Sequence, residues 1–213
     1  MINDARVTNA IYGGVLISRP HNEKQRKSKI RKILDAARQV FWRKGFVAVT
    51  MQDIIDECGI SRGGIYIYFS SVDEIFLEVM KRRNKEQVQS YERFEDVLAD
   101  YLTRQRARLL NFNCSLFRAY CEYIFSKPKA AVEAFRDVQL GHLRKTVSSI
   151  LMLGVHQGVL RDEKIDRLAD HFIVVIDGLS VLALAEALTG DIIDGQFEIL
   201  NEMVNNLKGS VLK

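Results

Sequence analysis

The chain has 213 residues, long enough for one or two domains with a substantial buried core. Apolar residues make up 47% and charged residues 27%, which excludes a disordered chain, and three cysteines without framework spacing exclude a disulfide scaffold and point to a reducing cytoplasm. The formal charge of +4 is uneven: residues 21–90 hold 14 Lys/Arg against 9 Asp/Glu, whereas residues 91–213 hold 15 against 17, so only the first half suits a phosphate partner.

In chain order, residues 1–26 are expected to be a flexible extension. Its apolar patch Ala10–Ile17 is too short for a signal peptide and lacks a basic n-region. The basic run Lys24–Lys32 is placed to let its end reach a phosphate. A first helix over 27–44 carries Ile30, Ile33, Leu34, Ala37, Val40 and Phe41 on one stripe, and Gly45 stops it. Two short helices follow within 50–69. A fourth over 71–88 turns Ile75, Phe76 and Val79 toward the first and is expected to join the two halves. Further helices are expected over 91–110, 114–126 (ending before Pro128), 129–157, 163–189 and 194–208. With two prolines and no strand-like alternation, the fold class is all-α with about nine helices. Residues 27–87 would form one domain and 88–213 another. The longest apolar run, in 172–188, is broken by Asp177 and Glu186, so no membrane span is expected.

Residues 50–69, TMQDIIDECGISRGGIYIYF, are the most informative. Thr50 and Asp53 form a capping-box-like pair at a helix start. Ile54, Ile55 and Cys58 make one apolar face, and Gly59 falls where a left-handed residue ends a helix at no Cβ penalty. Ser61 is a good N-cap for a second helix that turns Ile65 and Phe69 inward. Helix, glycine turn, helix is the layout in which the second helix enters the DNA major groove. An ordinary helical hairpin is the alternative. Against it, Arg62, Gly63, Gly64, Tyr66 and Tyr68 crowd into one short helix, and the two glycines cost about 2 kcal/mol of helix propensity relative to alanine. Close approach of a phosphate or base edge would justify that cost.

The segment 27 to about 87 resembles the DNA-binding domain of the TetR family of bacterial transcriptional repressors. The carriers are the first helix SKIRKILDAARQVFWRKGF, Thr50 opening the second, the Gly59-Ile60-Ser61 turn, and Ser61 through Phe69, close to the family's S-[KR]-G-x-[LI]-Y-x-[HY]-F. Weaker likeness extends to Gly158-Val159-Leu160-Arg161 and Asp177-Gly178-Leu179. The resemblance implies a homodimer that binds a palindromic double-stranded operator and leaves it when a small-molecule effector enters the C-terminal half. Candidate DNA-binding residues are Thr50, Gln52, Ser61, Arg62, Gly63, Gly64, Tyr66 and Tyr68. Two positions depart from the family pattern. Gly64 stands where a small side chain often touches DNA, and Val72 stands where a phosphate-gripping lysine is usual, leaving Ser70 or Ser71 as its substitute.

The C-terminal half holds aromatics and isolated polar groups suited to lining a mostly apolar cavity. Candidate effector residues are Phe117, Tyr120, Glu122, Tyr123, His171, Phe172 and Asp177, with Phe112 and Phe135 nearby. The alternative for any one of these aromatics is a place in the core. The last two helices are the most hydrophobic, and Leu179, Leu182, Leu188, Leu200 and Met203 are candidates for a dimer interface. Cys114 and Cys121 lie seven apart on one helix face, either small buried hydrophobes or a redox pair.

An enzyme is the rival class, together with a helical small-molecule binder without an operator. No H-E-x-x-H, P-loop, G-x-G-x-x-G or nucleophile elbow occurs. His21, His142, His156 and His171 lack metal-ligand spacing, so neither metal nor cofactor is expected.

Overall fold

The computed structural model describes residues 20–83, 93–112 and 116–208, and among them the chain forms helices with no strand beyond an isolated bridge, Leu160 to Lys208. The helices are α1 (Pro20–Lys44), α2 (Met51–Cys58), α3 (Arg62–Tyr66), α4 (Val72–Arg83), α5 (Phe94–Leu110), α6 (Phe117–Ser126), α7 (Lys129–His156), α8 (Ile165–Leu184) and α9 (Gly190–Asn205). The all-α expectation holds, and several bounds move. α1 begins at Pro20 rather than 27, so part of the supposed extension is helical; residues 1–19 lie outside the described residues. Cys114 also lies outside them.

Local chemistry fixes the ends of the first helices. Gly45 adopts φ +77° and donates its N–H to Phe41 O (2.9 Å), closing α1. Thr50 and Asp53 form the full capping box expected of them. Gly59 is left-handed at φ 62° and closes α2 onto Ile55 O. The start of α4 is capped reciprocally: Ser71 Oγ accepts from the Glu74 N–H (3.2 Å), and the Glu74 carboxylate accepts from the Ser70 N–H (2.7 Å) and hydroxyl (2.9 Å).

Two apolar cores form. The first joins α1 to α4 through Ile33, Ala37, Val40, Phe41, Ile54, Ile65, Ile75 and Phe76, and it takes in Leu116, Ala119 and Tyr123 beside α1 and Val132 of α7. The second joins α5, α7, α8 and α9 around Phe94, Leu151, Phe172, Ile193 and Leu200. α6 therefore packs on the first half although it follows α5 in sequence. Ion pairs brace the first half: Arg82 to Asp35 (2.7 Å), Lys44 to Asp53 (2.6 Å) and Arg43 to Glu57. Lys127, just after α6, pairs with Asp73 of α4 (2.5 Å).

α8 ends at Leu184 rather than 189. Glu186 takes φ 55°, and the Ala187 N–H returns to Leu182 O (2.9 Å), so the chain turns before Leu188 although its apolar pattern continues. Thr189 then caps α9, four residues earlier than the periodicity suggests.

Candidate nucleic-acid interface

α3 is a five-residue helix pinned by one side chain, Ile65, which is fully buried. Ser61 opens it, accepting from the Gly64 N–H (3.3 Å), and the Ile65 N–H closes back on Ser61 O (3.1 Å). With Ile65 and Phe69 inward, Arg62, Gly63, Tyr66 and Ile67 are turned to solvent. The Arg62 guanidinium lies 5.9 Å from the centre of the Tyr66 ring, a cation–π distance. Tyr68 is only half exposed and rests against the core, so its ring is partly structural.

The glycines differ. A Cβ at Gly63 would meet nothing within 4 Å, so this position faces open space and permits close approach of another molecule. A Cβ at Gly64 would lie 2.9 Å from Ile60 Cγ2 and 3.0 Å from Ser61 Oγ. Glycine at 64 therefore has an internal reason, set by the corner residue and the cap, whatever approaches from outside.

Other expectations also shift. The Thr50 hydroxyl donates to Asp53 Oδ2 (2.9 Å) and accepts from the Asp53 N–H (3.2 Å), so its proton is used within the cap rather than held out to a phosphate. Gln52 is exposed, with its amide on Asp56 (2.7 Å). Ser70 and Ser71 serve the α4 cap and do not replace the absent lysine, while Val72 packs against the core. Lys44, then the Thr50 N–H and hydroxyl, hold the Asp53 carboxyl down at about 2. Sequence reasoning passed over Ile67, which is 75% exposed at the end of α3 and suits an apolar contact such as a thymine methyl. Its signal was an apolar residue off the Ile65–Phe69 inward stripe.

The aromatics expected to line an effector cavity form instead a ring-to-ring seam between the halves. Phe112 meets Phe117 (5.9 Å between centroids), Phe117 meets Tyr120 (6.1 Å), and Tyr120 meets Phe135 (5.9 Å). Phe135 meets Tyr123 (5.2 Å), which packs edge-on to Phe46 (4.9 Å) and against Phe76 (5.0 Å). Glu122 does not point to a ligand: its Oε2 accepts the Phe46 and Val47 amides (2.6 and 2.9 Å), and its Oε1 accepts from Arg118 (2.8 Å). Partial burial pushes this carboxyl up, but the Val47 amide, Arg118 and the Phe46 amide outweigh it and keep the group ionised below its ordinary range. His171 is exposed, and Phe172 is wholly within the second core.

Asp177, half-buried, also keeps polar company. Its charge acts on Tyr101, Arg108 and Cys121, which come from α5 and α6, and Arg108 also reaches the buried Ser180 hydroxyl (3.3 Å). Burial first, then Asp177 against the opposing pull of Arg108, raises the Tyr101 phenol to about 12. Burial lowers the Arg108 guanidinium. Burial, Asp177 and Glu122 lift the Cys121 thiol to about 11, which keeps it protonated and argues against a redox role. A separate groove of about 390 Å³ runs between α5 and α9, floored by Phe94, Leu98, Leu102, Phe197 and Val204, and none of the seven candidate effector residues lines it.

Two of the candidate dimer residues prove internal. Leu179 and Leu200 are buried in their own protomer's second core, and Leu188 and Met203 lean on it. Among the described residues Leu182 is exposed, as are the apolar side chains Val174, Val181 and Leu184 of α8 and Ile192 and Ile199 of α9. Gly178, also exposed, lies among them with open space above it.

Comparison with known proteins agrees with the motif. Residues 33–79 match the family model for bacterial regulatory proteins of the tetR family. The HTH-type transcriptional regulator YfiR of Bacillus subtilis strain 168 is 43% identical over 65 residues, which is 30% of this chain and 30% of that protein. The match thus spans less than a third of that relative. TtgR, an HTH-type transcriptional regulator of Pseudomonas putida, is 22% identical over 193 residues, covering 73% of this chain and 92% of TtgR. The crystal structure of a TetR transcriptional regulator from Chloroflexus aurantiacus superposes with a TM-score of 0.68 at 17% identity, over 87% of this chain and 98% of that one. That likeness extends the common fold through the C-terminal helices.

Proposed function

Because the chain belongs to the TetR family of bacterial transcriptional regulators, we propose that it is a cytoplasmic repressor that binds a palindromic operator as a homodimer. Regulation of transcription, not catalysis, is the activity of this family. One observation carries the reading: α3 is pinned by Ile65 alone, so that Arg62, Gly63, Tyr66 and Ile67 all face outward from a five-residue helix. Arg62 is the base reader, since a guanidinium at the start of a recognition helix matches guanine O6 and N7. Tyr66 and Tyr68 hold phosphates and set register.

Among the described residues no helix is long and apolar enough to cross a membrane. The two-fold axis that a palindrome requires comes from the exposed apolar side chains of α8 and α9 meeting their own copy. Selection of bound duplexes from a random pool tests the whole reading. Two inverted half-sites, centred about one DNA turn or a multiple apart, are expected. An asymmetric consensus, or none, would overturn it.

Release by a small molecule is the second half of the proposal. The polar island of Tyr101, Arg108, Asp177 and Ser180 supports it, because buried charge among apolar helices is retained where a ligand must be oriented. A hundredfold loss of operator affinity needs about 2.7 kcal/mol of coupling, and operator must weaken the ligand by the same factor. Once a thermal-shift screen has supplied a ligand, calorimetric titration with and without operator decides the point. Equal ligand affinities in the two titrations would sink the release mechanism.

A further inference from the structure

The turn between α1 and α2 is held from outside its own domain. Gly45 satisfies its N–H on Phe41, but the next two amides, Phe46 and Val47, point away from any backbone acceptor and toward α6. Both are received by one oxygen, Glu122 Oε2, from a residue 76 positions downstream of Phe46. The second oxygen is fixed by Arg118 one helical turn earlier, so the carboxylate cannot rotate freely. Room for it is made by the absence of a side chain. A Cβ on Gly45 would lie 2.3 to 2.6 Å from the Glu122 carboxylate atoms, so Gly45 serves both the left-handed turn and this approach.

The contact stands at a point of leverage. Residues 46–49 lead directly into Thr50, the N-cap of α2, and α2 carries the turn that aims α3. Beside Glu122, Tyr123 packs edge-on to Phe46, and Lys127 lies 5.3 Å from the Phe46 ring centre while pairing with Asp73 at the start of α4. Cys121, which precedes Glu122 in α6, feels the charge of Asp177 of α8. A displacement of α6 by about 1 Å would take the Val47 contact beyond hydrogen-bond distance.

We propose that Glu122 is a positioning residue for DNA binding: its carboxylate grips the Phe46 and Val47 amides and transmits the placement of α6 to the helix-turn-helix. This rests on the DNA-binding reading, but one arm of its test does not. In the full-length protein, amide exchange followed by NMR should show Phe46 and Val47 protected in the wild type and unprotected in Glu122→Ala, with no DNA present.

The second arm measures affinity for the duplex selected from the random pool. Glu122→Ala should lose about tenfold, within the usual span of allosteric coupling, with its helix content intact by circular dichroism. Glu122→Gln, which keeps an acceptor, should recover part of the loss, whereas a residue important only for stability would lower the melting temperature and leave the affinity of the folded protein alone. If Glu122→Ala fails to fold, Glu122→Asp replaces it, its carboxylate drawn back by one methylene and unable to reach both amides. Persistent protection of the two amides, or operator affinity within twofold of wild type, would overturn the proposal. Loss of protection with no duplex bound by wild type would instead fault the operator reading.

Discussion

The Arg62 guanidinium lies over the Tyr66 ring, 5.9 Å from its centre, one helical turn away on the outer side of α3. A cation–π contact favours one direction for this long flexible side chain before any DNA arrives, lowering the entropy lost when it binds. Arg62→Ala is expected to cost about 1–3 kcal/mol of operator affinity and to relax preference at one position in each half-site. Tyr66→Phe keeps the ring and should weaken all sequences alike without changing the consensus. Repeating the duplex selection with both variants checks this, and an unchanged consensus for Arg62→Ala would remove Arg62 from readout.

Asp53 ties stability to pH. Its carboxyl sits at about 2 in the folded protein against 3.8 ordinarily, held first by Lys44 and then by the Thr50 amide and hydroxyl. A depressed folded value means the contribution is complete above the unfolded value and is lost as pH falls through the folded one. Melting temperature should therefore drop between about pH 4 and pH 2, and Asp53→Asn should be less stable at neutral pH and converge with wild type at the acid end. Thr50→Ala should cost about 0.5–2 kcal/mol, the usual value of an N-cap. A gap between wild type and Asp53→Asn that stays constant with pH would contradict this account of the cap.

Adjacent glycines should respond oppositely to alanine. Gly63→Ala adds a methyl into open space, so it should stabilise α3 by up to about 1 kcal/mol while crowding the DNA and weakening binding. Gly64→Ala drives a methyl against Ile60 and the Ser61 cap, so stability should fall instead. Urea melts and anisotropy titrations on both variants measure this. Undiminished DNA affinity in Gly63→Ala would mean that the backbone there is not closely approached.

What was legible in the sequence was local. The Thr50–Asp53 box, the left-handed Gly59 and the Ser61 cap each depend on chemistry within a few residues, and each stands where the pattern put it. Glu122 was misread because its partners lie 75 and 76 residues upstream, and an acid between apolar neighbours looks the same whether it awaits a ligand or holds a turn. Leu179 and Leu200 were misassigned for another reason. A helix apolar on most of its circumference does not reveal which stripe meets its own core, and only packing separates buried Leu179 from exposed Val181 and Leu182. The end of α8 was overrun because the turn at Glu186 carries neither glycine nor proline.

The exposed apolar side chains of α8 and α9 carry the last prediction. Val174 and Val181 are 67% and 54% exposed, Leu182 is 39% exposed, and Gly178 between them leaves space for a facing helix to approach closely. On α9, Ile192 and Ile199, seven residues apart and so on one helix face, are exposed as well. Leaving these side chains in water forfeits about 1.5–3 kcal/mol for each one that a partner would bury fully. Leu182→Arg should therefore give a folded monomer, since the new charge stays in water when no partner covers it. Operator binding should become weak, because one protomer reaches only one half-site. Leu179→Arg, by contrast, should unfold the chain, because that position is internal and cannot hold an unpaired charge. Sedimentation velocity on the two variants separates these outcomes. A Leu182→Arg protein that still sediments as a dimer, with operator affinity intact, would move the two-fold axis to another surface.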